Sequence, residues 1–124
     1  MQTIQRLSTE LTVLQNDVLS YRNERDLGFE HNLIGIFIRQ CNTQKEVYDC
    51  VDRLMKDRYH EWYLALAELP VWGEGVNKQV QICIRGCQDM VVANLNWSFK
   101  TERYFEKEHW NVRRTRVVAC VIWT

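Results

Sequence analysis

The chain has 124 residues, of which 26% are charged, and its formal net charge is zero. That length fits one domain or part of one. The neutral balance argues against a nucleic-acid groove or a polybasic membrane anchor, and no apolar run approaches the roughly 20 residues that a membrane span needs.

A first helix is predicted over about residues 3–25. Ile4, Leu7, Leu11, Leu14, Val18 and Tyr21 recur at alternating three- and four-residue steps, the pattern of a helix with one apolar face. Leu27-Gly28-Phe29-Glu30 breaks it, and a shorter helix is predicted over about 32–41. Asn42-Thr43 offers a cap for a long helix over about 45–69. Val47, Val51, Leu54, Met55, Arg58, Trp62 and Leu66 form much of one of its faces. The single proline, Pro70, opens a loop that runs to Gly75 and carries Trp72, expected to be exposed. A fourth helix is predicted over about 76–96, with Val80, Ile84, Cys87, Val91 and Leu95 among its apolar positions. The β-branched run at 117–123, which follows the basic residues Arg113, Arg114 and Arg116, is a strand candidate. The expected fold is all-α, a bundle of antiparallel helices forming one unit over residues 1–124. Residues 1–10 lack the charged-then-apolar order of a secretion signal, so a soluble, cytoplasmic chain is expected.

The five cysteines, Cys41, Cys50, Cys83, Cys87 and Cys120, are odd in number and form no Cys-x-x-Cys pair. Cys83 and Cys87 stand one helical turn apart but have no histidine near them, and zinc usually takes four ligands. Reduced, buried cysteines serving as small apolar residues are expected. His31, His60 and His109 are scattered, and neither a Gly-rich phosphate loop nor a Gly-x-Ser-x-Gly turn is present.

The informative pattern is Asn16, Ser20 and Glu24, each four residues from the next. At about 100° per residue the three side chains share one strip of the helix, spread over roughly 80° and almost opposite the apolar stripe. Such residues are common on solvated helix faces. Together, however, a carboxamide oxygen, a hydroxyl and a carboxylate make a set of hard oxygen donors. That set suits magnesium or manganese better than zinc or copper. Magnesium keeps part of its shell for water and substrate phosphates, so the pattern suggests a site that opens onto a phosphate. A strip opposite the apolar face meets either water or a second, polar cavity in a larger bundle.

Asn16-Asp17-x-x-Ser20-x-x-x-Glu24 resembles the second metal-binding motif of class I terpene synthases. The surrounding words, Gln15 to Tyr21 and then His31-Asn32-Leu33-Ile34, resemble the fungal sesquiterpene cyclases. Asn96-Trp97-Ser98-Phe99-Lys100-Thr101-Glu102-Arg103-Tyr104-Phe105 is similar to the family's terminal Arg-Tyr motif, and Arg103 falls 79 positions after Glu24. The resemblance runs from about residue 7 to residue 105. It implies a magnesium-dependent enzyme, with manganese as an alternative ion, acting on an isoprenoid diphosphate, farnesyl diphosphate being the expected substrate. Asn16, Ser20 and Glu24 hold metal in that reading, Arg103 and Tyr104 bind diphosphate, and Tyr21, Trp97 and Phe99 support the apolar pocket.

Two departures stand out. Asn23 occupies the position before Glu24 where many members carry Lys or Arg, with Arg22 and Arg25 to either side. The aspartate-rich first motif of the family lies upstream, and this chain has no Asp-Asp pair. The resemblance is thus to the C-terminal part of a synthase, and little activity and some self-association are expected of the chain alone. The alternative is a non-enzymatic helical interaction module, which the heptad-like stripe of the first helix also permits.

Overall fold

A computed structural model describes residues 1–40 and 43–117, and among these all regular structure is helical. Three long helices dominate: α1 (Gln2–Asp26), α3 (Gln44–Ala67) and α4 (Glu74–Lys100). The short α2 (Leu33–Arg39) follows α1. After α4 come α5 (Glu102–Phe105), a 3-10 turn (Glu106–Glu108) and α6 (His109–Thr115).

The helix boundaries follow from local chemistry. α1 ends at Leu27 in a Schellman arrangement: Phe29 N donates to Glu24 O at 2.9 Å and Gly28 N to Arg25 O at 3.1 Å. Gly28 takes φ 78°, which lacks a steric cost only for glycine. Asn32 caps α2, its side chain accepting from Ile34 N at 2.9 Å. Thr43 caps α3 with a reciprocal pair: Glu46 N donates to Thr43 Oγ1 at 3.3 Å, and Thr43 N donates to Glu46 Oε2 at 2.8 Å. The carboxyl of Glu46 is held below its ordinary pKa, first by the backbone of Thr43 and then by its hydroxyl. Asn42, the other half of the expected cap, lies outside the described residues.

α1 is the hub, packing on α2, α3, α4 and α5. It runs antiparallel to α3, as the crossing ion pairs show: Arg6 meets Glu61 at 3.1 Å while Glu10 meets Arg58 at 2.6 Å. It runs parallel to α4, because the bonds Ser8 Oγ to Cys87 O and Asn94 Nδ2 to Gln15 Oε1 share one sequence offset, 79 residues. An up-down-up order of the long helices follows from these two registers. One apolar cluster joins Ile4 and Leu7 to Trp62 and Ile84, and a second joins Tyr21 to Ile34, Val47 and Val51. Most of the apolar stripe of α1 is therefore used inside the fold, with Leu14 and Val18 left half-buried.

Four expected helices match α1 to α4 within a few residues. α5 and α6 were not expected. Of the strand candidate only Val117 is described, outside any regular element; residues 118–124, with Cys120, lie outside the described residues, as does Cys41. Cys50, Cys83 and Cys87 are free thiols, half-buried rather than fully buried. Burial pushes the Cys87 thiol up, and neighbouring Cys83 adds to the rise. No described helix is long and apolar enough to cross a membrane.

Candidate functional site

Asn16, Ser20 and Glu24 lie on successive turns of α1, and the strip they share is partly covered rather than fully solvated. Ser20 is fully buried, and Asn16 and Glu24 are half-buried. The choice between a solvated face and a second polar layer thus falls to the polar layer. Two other segments cover it.

The first is the N-terminus of α2. Asn32 Nδ2 lies 3.0 Å from Glu24 Oε2, 3.3 Å from Ser20 Oγ and 2.8 Å from Asp17 O. Leu33 N donates to Asp17 Oδ2 at 2.9 Å, so Asp17 takes an amide proton at the start of α2. Burial raises the Asp17 carboxyl pKa above its ordinary value; the Leu33 bond opposes the rise and the Glu24 charge adds to it. Sequence reasoning assigned no role to Asp17 or Asn32. The available signal was an asparagine directly before an apolar helical run, a cap pattern.

The second covering segment is α5. The Tyr104 hydroxyl donates to Asn16 Oδ1 at 3.2 Å, joining the two sequence motifs in space. Thr101 makes the turn: α4 stops at Lys100, and Arg103 N donates to Thr101 Oγ1 at 3.2 Å. Tyr104 is buried, with the Trp97 ring edge-on at 5.8 Å, while Phe105 stacks on Phe99, also at 5.8 Å. Trp97 and Phe99 thus pack against α5 from α4, whereas Tyr21 belongs to the apolar core with Ile34. Arg103 is exposed, its guanidinium 5.6 Å from the centre of the Tyr104 ring.

Beside Tyr104 lies an open groove of about 750 Å³ between the end of α1 and the α5 segment. Arg22, Arg25 and Lys107 line it together with Glu102, Glu106 and Glu108. Arg22 pairs with Glu108 at 3.6 Å and Arg25 with Asp26 at 2.9 Å. Arg103 is not among the groove's lining residues.

The donor set fits a hard divalent cation. All three side chains supply oxygen, only one of them charged, and the bond from Asn32 falls on Oε2 of Glu24 and leaves Oε1 out of it. No group of three His, Cys, Asp or Glu side chains able to hold a metal occurs among the described residues.

The family model for terpene synthase family 2, C-terminal metal binding, matches residues 1–61, which contain α1, α2 and most of α3. The chain belongs to the terpene synthases, and what it matches is their C-terminal metal-binding region. It is 44% identical to the silphinene synthase peniA of Penicillium patulum, over 98% of this chain and 32% of that protein. It is 41% identical to the cycloaraneosene synthase sdnA of Sordaria araneosa, over 95% of this chain and 33% of that one. Terpene cyclase 4 of Gibberella fujikuroi is 39% identical over 95% and 32%. The chain spans about a third of the length of these relatives.

Proposed function

We propose that this chain supplies one metal-holding helix and a diphosphate-facing phenol to a sesquiterpene cyclase. The observation that carries the reading is the Tyr104–Asn16 bond, which links the two motifs across 88 residues of sequence. Asn16, Ser20 and Glu24 hold one magnesium ion, with manganese as the alternative. The bound ion supplies positive charge to a diphosphate as its bond to the isoprenoid carbon breaks.

The substrate in this reading is farnesyl diphosphate. The allylic C–O bond breaks heterolytically, diphosphate leaves with the electron pair, and the allylic cation cyclises and then gives up a proton to the released diphosphate. The Tyr104 hydroxyl, whose one proton goes to Asn16 Oδ1 in the free chain, turns to a diphosphate oxygen when Asn16 Oδ1 is taken by the ion. The adjoining groove carries Arg22, Arg25 and Lys107 against Asp26, Glu102, Glu106 and Glu108, so it adds no net positive charge and the bound ion is left to neutralise the diphosphate. Arg103, exposed beside the Tyr104 ring, is the second diphosphate-binding residue of this reading. The family's aspartate-rich motif is not among these 124 residues, which span about a third of the relatives' length.

The test is calorimetric titration of inorganic diphosphate into the chain with and without magnesium. Binding is expected only with the ion, lost in Glu24→Gln and weakened in Tyr104→Phe. Magnesium-independent binding, or binding indifferent to Glu24→Gln, overturns the reading. Incubation with farnesyl diphosphate and magnesium is expected to give little cyclic product from the chain alone. Robust product that disappears in Glu24→Ala would show that these helices suffice.

A further inference from the structure

A helix N-cap needs one acceptor. Serine, threonine, aspartate and asparagine all supply it, and they cap comparably. Asn32 meets that need with Oδ1, which takes the Ile34 amide proton at 2.9 Å. The other half of its carboxamide serves no capping purpose. Nδ2 carries two hydrogens and faces three acceptors: Glu24 Oε2 at 3.0 Å, Ser20 Oγ at 3.3 Å and Asp17 O at 2.8 Å. Two of these are the side-chain oxygens of the metal strip. Asn32 is only 3% exposed, so water cannot substitute for those bonds.

We propose that Asn32 is a positioning residue for the metal centre, fixing Ser20 and Glu24 in their ligating orientation by donating from Nδ2 while its Oδ1 caps α2. The inference rests on the metal-binding role proposed for that strip. The physical reasoning is direct. A glutamate on a helix has several rotamers, and holding one costs entropy that the ion must otherwise repay. A bond to Oε2 selects the rotamer in advance and orients the carboxylate. Donors to metal-ligating carboxylates commonly act in this way. Among the usual cap residues only asparagine offers both an acceptor for the helix and an amide donor for the strip.

The experiment is a Mn2+ titration of the 124-residue chain, read as paramagnetic broadening of its backbone amide NMR signals. Asn32→Ser keeps a cap acceptor and replaces the two-hydrogen amide donor with a shorter hydroxyl. It is expected to retain helical circular dichroism and to weaken Mn2+ binding about 10- to 100-fold. Glu24→Gln is run beside it. If Glu24→Gln abolishes local broadening and folded Asn32→Ser leaves the affinity unchanged, the positioning role is wrong and the metal strip stands. If the unmodified chain shows no localised Mn2+ binding, or Glu24→Gln leaves that binding unchanged, the metal strip and this inference both fall. Should Asn32→Ser lose its helical signal, the unmodified chain decides. The Asn32 side-chain NH2 signals are expected to exchange slowly with solvent and to shift on Mg2+ addition. Solvent-like exchange with no Mg2+ response overturns the proposal.

Discussion

Single side chains in this protein often serve two segments at once. Thr43 is an example: its hydroxyl accepts at the start of α3 while Glu46 returns a bond to its amide. Replacing Thr43 with alanine removes one side of that exchange and is expected to cost about 1 kcal/mol. Urea unfolding followed by circular dichroism measures it, and an unmoved midpoint contradicts the capping account. Tyr104 is another case, with its ring packed by Trp97 and its hydroxyl on Asn16. That Asn16, Ser20 and Glu24 share one strip was readable from spacing alone, because helical geometry fixes which side chains share a face. Its hydrogen-bond partners were not, since Asn32 lies beyond a turn whose path the spacing does not determine.

At the level of elements, the three long helices were legible because each holds a three- and four-residue apolar rhythm over many turns, interrupted in α3 by Arg58. α5 and α6 were not, being only 4 and 7 residues long, too short for periodicity to show. They owe their place to packing: Phe105 on Phe99, and His109 Nδ1 against Phe99 O at 2.9 Å. The seam between α1 and α3 carries a charged cluster, Arg6, Glu10, Arg58 and Glu61. Glu10 Oε2 is closed off from solvent and faces Arg58 Nε in an ion pair rather than an aligned hydrogen bond. The bond from Arg6 depresses the Glu10 pKa below its ordinary 4.5, with the charges of Arg6 and Arg58 helping. A depressed carboxylate stabilises the fold above its unfolded pKa and loses that contribution as pH falls through the folded value. Glu10→Gln is therefore expected to lower the melting temperature near neutrality and to converge on the parent below pH 4.5. Parallel melting curves at all pH values contradict this.

The whole molecule is held mainly through α1, and Trp62 is the largest side chain that α3 sends into the shared core. Trp62→Ala is expected to cost roughly 3–5 kcal/mol, read by chemical denaturation. A loss under 1 kcal/mol would mean that the cluster around Ile4 and Ile84 is not a cohesive core. The outer surfaces are a different matter. Tyr63, Leu64, Ile82, Val92 and Trp97 are all exposed on α3 and α4. So much apolar surface is expected to drive association, measured as a sedimentation coefficient that rises with concentration; a monomer at all concentrations tested contradicts it. The parallel seam of α1 and α4 also has a consequence for the order of events on the ribosome. Ser8 and Gln15 find their partners only at Cys87 and Asn94. A chain emerging at about 5–20 residues per second leaves those groups, and the side of α1 that Ile84 will cover, waiting several seconds for their match. α3 can dock earlier, but α1 is made before both of its long partners and enclosed only when α4 arrives, so nascent chains pass through a stage in which their most buried helix is half bare.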